Sequence, residues 1–237
     1  MAIKSWLMLR VYRRKECTKT YMSSELQGRV KTVRDGLRIC TVGLSEGGGE
    51  ELGVEVATED LLEAADQMLR HFVDELGETA SGVSDVQIQK YGYWAVKFVS
   101  DGKGTLWTWE FDQDFKDLVP GAAFSLRCWR EQHGVCGARG VEFLPPNPWQ
   151  KVFVTPGILT GEALQGIRYP PPADHLSGWW LLATRPGADQ GRVNIVPVHQ
   201  ATKARPELIP YLALPAGYRF DLVNGGRVWF DEDVASQ

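Results

Sequence analysis

Three groups of residues have types that chemistry uses, and their spacing decides what they can do. Cys128, His133 and Cys136 form a Cys-x4-His-x2-Cys cluster, and thiolate and imidazole are zinc ligands. A structural zinc site takes four ligands, however, and no fourth stands at a familiar spacing, so strand-and-loop thiols are the expected role. The run Glu46-Gly-Gly-Gly-Glu-Glu51 offers glycines of the kind that cradle phosphate. Its own acids would repel phosphate, and no Gly-Lys-Ser/Thr follows. His71, His133, His175 and His199 are scattered, and none stands with a carboxylate or nucleophile in a known pattern. No cofactor and no metal are expected, and binding is favoured over catalysis. Two alternatives stay open: a small enzyme of unrecognised type, and a nucleic-acid binder using the basic stretch from Arg10 to Lys19.

The elements that must position these residues are legible in outline. The first forty residues read as β, with a hairpin from Arg29 to Leu44 around Asp35-Gly36. The glycine run after it reads as a mobile loop. A helix is predicted from Thr58, as N-cap, to Gly77, with Leu61, Leu62, Ala65, Met68, Leu69, Phe72, Val73 and Leu76 along one stripe. Strands are predicted over Val83–Gln89, Tyr93–Val99, Thr105–Phe111 and Ala123–Arg130, with a turn at residues 101–104. Two proline-rich joints, at residues 144–148 and 169–172, force extended connections. The expected fold class is α+β: antiparallel sheets with one main amphipathic helix in the N-terminal part, and a small, mostly-β C-terminal domain. The expected division is 1–150, a connector over 151–175, and 176–237.

The charge is segregated. The net charge is −4, but residues 1–40 carry +7 and residues 41–120 carry −12. Such segregation means either that neighbouring elements pair their charges or that an acidic face steers a basic partner. The acids that would form such a face are Glu46, Glu50, Glu51 and Glu55, with Glu59, Glu63, Asp66, Asp74 and Glu75 on the helix. No run approaches the roughly 18 apolar residues of a membrane span, and the charge order at the N-terminus is not that of a secretory signal. A cytoplasmic chain is expected.

After the second joint come a buried strand, Ser177-Gly178-Trp179-Trp180-Leu181-Leu182, and a second strand over residues 194–198. A helical turn over 206–212 follows, then a final hairpin with Asn224-Gly225 at its tip. Within this order, Ser177-Gly178-Trp179, then Pro206 with Leu208 to Leu212, then Pro215, Gly217 and Phe220 resemble the module of immunity protein family 33, also called domain of unknown function 2185. The likeness covers about sixty residues. It departs from the family in the loop over 185–192, which is mixed to basic here rather than acidic. The resemblance implies an immunity protein that neutralises a cognate bacterial toxin by stoichiometric binding, without catalytic residues. A basic nuclease is the first expectation for that toxin, because nucleases grip phosphate and acidic inhibitors compete with it. Of the two adjacent tryptophans, which point to opposite faces of a strand, one is expected in the core and the other at an interface.

Overall fold

The computed structural model describes residues 21–25, 30–76, 87–184, 192–223 and 226–237. Two mostly antiparallel sheets account for its strands. The first is built from β1 (Tyr21–Glu25), β2 (Lys31–Asp35), β3 (Arg38–Val42), β4 (Glu51–Glu55), β5 (Ile88–Tyr91), β6 (Trp94–Ser100), β7 (Thr105–Phe111) and β8 (Leu118–Pro120). Its order is β1-β2-β3-β4-β7-β6-β5, with β8 on β7. The hairpin at Asp35-Gly36 forms as expected, with Gly36 at φ +60. The run from Glu46 to Glu51 is not a simple loop. Residues Ser45–Gly47 form a 3-10 turn, and Glu51 opens β4, which lies parallel to β7.

Helix α1 (Leu62–Leu76), preceded by a 3-10 turn at Glu59–Leu61, packs on this sheet. Its stripe of Ala65, Met68, Leu69, Phe72 and Val73 meets Leu52, Val54, Val96 and Phe98, all buried. Each of these side chains larger than alanine contributes about 1.5–3 kcal/mol on leaving water. The expected C-terminal Gly77, most of the strand from Val83, the N-terminal strand and basic stretch within residues 1–20, and the Asn224-Gly225 tip lie outside the described residues.

The stretch Ala123–Arg130, expected as a strand, is instead the first half of helix α2 (Ala123–Gly137). Alternation of Phe124, Leu126 and Cys128 suggests β, but the buried set Ser125, Cys128, Gln132 and Cys136 has helical spacing. The helix starts where it does because Glu110, on β7, accepts from the backbone N–H of Phe124 (2.9 Å) and Ser125 (2.7 Å) and from the Ser125 hydroxyl (2.8 Å). A carboxylate at a helix N-terminus satisfies orphan donors and meets the positive end of the dipole. Burial nonetheless outweighs these donors and pushes the Glu110 pKa up.

The second sheet takes β9 (Lys151–Val154), β10 (Leu164–Arg168), β11 (Leu176–Ala183), β12 (Asn194–Pro197), β13 (Tyr218–Asp221) and β14 (Arg227–Phe230) in the order β12-β9-β11-β10-β13-β14. Residues 151–175, read from the sequence as a connector, thus supply two of its strands. Helix α3 (Val198–Ala204), a 3-10 turn over Pro206–Tyr211 and α2 cover its inner face. A short helix, α4 (Glu232–Ala235), follows β14.

The two sheets are joined through α2 and through β6. Tyr93 and Trp94 belong to the second core, and the Tyr93 hydroxyl lies 2.5 Å from Thr202 Oγ1. Gln132 donates to the Ile209 carbonyl at 3.0 Å.

Candidate functional site

Most residues that carry the sequence resemblance are interior, while Pro206 is exposed and Pro210, Tyr211 and Pro215 are half-buried. Trp179, Leu208, Leu212 and Phe220 are at most 1% exposed, and the Trp179 indole donates to the Leu212 carbonyl at 3.0 Å. Gly178 has φ +79, and a Cβ there would stand 2.2 Å from the Tyr169 carbonyl oxygen. Only glycine meets both demands. Gly217, at φ +89, is packed against Phe230 and Ala235 in the same way. The motif therefore specifies a scaffold and leaves contact residues to be found elsewhere.

They are found by following the strand alternation to the other face. Trp180 is partly exposed where Trp179 is buried. Across the sheet, Ile195 pairs with Phe153, Phe153 with Trp180, Trp180 with Ile167, Ile167 with Arg219, and Arg219 with Trp229. One row thus takes a residue from each of the six strands. Phe153 and Trp180 stack at 4.2 Å, and Tyr169 meets Trp180 edge-on at 6.2 Å. The Trp229 ring lies between Arg219 and Arg227, at 5.5 and 5.2 Å. Ile195, on the edge strand, is 57% exposed. Tryptophan and arginine are the residue types that dominate binding energy in protein interfaces, and tyrosine is a third.

The acidic residues differ in how their own chain holds them. Glu51 turns inward on its own chain: it accepts from Thr41 Oγ1 (2.7 Å), Gly43 N (2.9 Å), Ser45 N (3.0 Å) and Ser45 Oγ (2.8 Å). Burial raises its pKa, but these donors together outweigh it and hold the carboxyl below the usual glutamate value. Glu50 accepts from Ser100 at the same end of β4. At the other end Glu55 pairs with Arg38 (3.0 Å), and Glu59 pairs with Arg34 (3.3 Å). Asp66 holds Thr32 and Arg70, and Glu75 faces His71 at 3.4 Å. Glu46, Glu63 and Asp74 stand exposed, the last two on one helix face about 16 Å apart. Two arginines of the basic first forty residues, Arg34 and Arg38, thus meet two of the acids that follow.

No catalytic geometry emerges among the described residues. The run Gly43-Leu44-Ser45-Glu46-Gly47 has the Gly-x-Ser-x-Gly spacing of a nucleophile elbow, which the sequence reading missed. Here Ser45 opens a 3-10 turn between two strands, and its hydroxyl donates to Glu51 rather than to a histidine. Cys128 and Cys136 are buried thiols two helical turns apart, both pushed up in pKa by burial. His133 stacks on Phe143 and meets Trp129 at a tilt, each at 3.9 Å, and burial holds its pKa down. Among the described residues no three His, Cys, Asp or Glu side chains gather as a metal site. No helix among them is long and apolar enough to cross a membrane.

Fold and site together define a two-sheet α+β scaffold whose second sheet presents an aromatic and arginine-bearing face. Residues 131–231 match the family model of the Imm33-like domain. The C-terminal module is therefore similar to an immunity-protein domain, and the likeness begins inside α2, well before the stretch that carries the sequence motif. No curated protein and no solved structure matches the chain.

Proposed function

We propose that this chain is an immunity protein that neutralises a cognate toxin in the cytoplasm of the producing cell by stoichiometric binding, with no chemistry of its own. The observation that carries the reading is the Imm33-like match over residues 131–231, whose motif residues build a sheet with an open aromatic face. On this reading the toxin docks on the row through Phe153, Trp180 and Trp229. The exposed acids Glu46, Glu63 and Asp74, with Glu50 at the edge of β4, then serve as steering charges for a basic toxin such as a nuclease, because exposed charge acts mainly on the rate of encounter. Glu51, Glu55, Glu59, Asp66 and Glu75 contribute to that field while held by their own neighbours.

The test is co-expression with the neighbouring gene's product, scored by survival and co-purification, using the native chain and Trp180→Ala. Rescue by the native chain, with a complex weakened at least about 30-fold by Trp180→Ala, is the expected result. Absence of both rescue and complex removes the immunity reading. Rescue with unchanged affinity for the variant keeps immunity and removes this face as its site.

A further inference from the structure

A cleft of about 460 Å³ lies away from the aromatic face, between β5 of the first sheet, the loop after α2 and the end of β10. Two cations line it, and no carboxylate does. Arg168 is only 8% exposed and makes no ion pair among the described residues. Its Nη1 donates to the carbonyls of Leu144 (2.7 Å), Leu212 (3.3 Å) and Leu214, and its Nε to Ser177 at 3.3 Å. The guanidinium's other terminal nitrogen, Nη2, has no hydrogen-bond partner among the described residues. Lys90 reaches the same place from β5, where its ammonium donates to the Pro145 carbonyl at 3.1 Å, one residue along from the carbonyl that holds Arg168. Lys90 itself is exposed; partial desolvation first, and then the charge of Arg168, lower its pKa, and burial lowers that of Arg168 to about 10. Arg168, a buried cation answered by carbonyl dipoles and by the Trp179 ring at 5.7 Å but by no carboxylate among the described residues, retains a demand for an anion. Asn147 and Gln150 add side-chain amides, while Phe143, Pro171 and Ala216 supply apolar wall.

We infer that this cleft binds a small organic anion, its carboxylate or phosphate group held between Lys90 and Arg168 and its apolar body against Phe143 and Pro171. The volume falls in the range of small-molecule sites, whose walls are mainly apolar with a few placed polar groups. Carboxylate and phosphate share the chemistry that Arg and Lys recognise.

The experiment uses the full chain with benzoate and phenyl phosphate as probes, and benzamide and benzyl alcohol as their neutral counterparts, followed by calorimetry and by chemical-shift changes. Saturable binding of an anion at millimolar concentrations or below, with no saturation by the neutral counterparts, is expected. The tighter of the two anions tells a carboxylate site from a phosphate site. Lys90→Met should weaken that binding about tenfold or more, the loss of one charge-assisted contact. Arg168 variants are unsuitable, because that side chain also clamps four carbonyls; Asn147→Ala is the second variant, with a smaller loss expected. Raising the pH through the lowered Lys90 pKa should weaken binding more in the native chain than in Lys90→Met, which lacks that titrating cation. Failure of both anions to saturate the folded chain overturns the inference, as does equal binding of the neutral compounds or unchanged affinity in Lys90→Met.

Discussion

The two sheets use their distinctive residues in opposite ways. The first is rich in acids and turns many of them inward: Glu51 ties down the turn before β4, Glu110 starts α2, and Glu55 and Glu59 meet arginines from β3 and β2. The second is rich in aromatics and divides them by strand alternation, with Trp179 inside and Trp180 outside. A charge count therefore overstates how acidic the first sheet is to a partner, since charge satisfied locally is weakly felt at a distance. An aromatic count understates the second, because each outward ring keeps its apolar area in reach of another molecule.

The sharpest way to break this comparison is the pair Trp179→Ala and Trp180→Ala. The first should cost about 3–5 kcal/mol in urea denaturation, as an emptied core site and a Leu212 carbonyl left with the longer bond from Arg168. The second should leave the unfolding free energy within about 1 kcal/mol of native while weakening partner binding at least about 30-fold. Equal stability losses would mean that both faces are structural. Next in size, Glu110→Ala should cost about 2–4 kcal/mol, because two N–H groups and a hydroxyl lose their acceptor in a buried place. Its unfolding should remain a single transition seen equally by probes in both sheets. Separate transitions would mean that α2 does not couple them.

Smaller again is Glu51→Gln, expected to cost about 1–2 kcal/mol by calorimetric or urea unfolding. Its folded pKa is lowered, so the stability it contributes is present above the ordinary glutamate value of 4.5 and is lost as pH falls through the folded value. The native chain should lose stability over that acid range, and the variant should lose less. An identical acid profile in the two would remove the role given to Glu51. Least of all, the double reversal Glu63→Lys, Asp74→Lys should move stability by no more than about 0.5 kcal/mol. It should slow association with a basic toxin at low salt, and an unchanged on-rate would remove the steering role.

Much of this molecule is legible in its sequence where one element carries its own signal. Helix α1 shows a continuous apolar stripe, and the turns at Asp35-Gly36 and residues 101–104 stand between apolar runs. Helix α2 hides because its buried side includes Ser125 and Gln132, whose partners, Glu110 and the Ile209 carbonyl, come from elsewhere in the chain. Strand β4 hides because Glu51 and Glu55 flank only three buried residues, and its parallel neighbour β7 lies fifty residues on. The motif around Trp179 points correctly to a sheet, and its adjacent tryptophan gives the one local hint of an outer face. The rest of that row assembles only through pairing between strands distant in sequence.

The cap that Glu110 places on α2 sets where this module can be cut. A chimaera that begins at residue 131, where the family likeness begins, would carry half a helix and leave its first turn and its carboxylate behind on the donor. To transplant the second sheet intact, the junction has to fall before β7, so that Glu110 travels with the helix it starts.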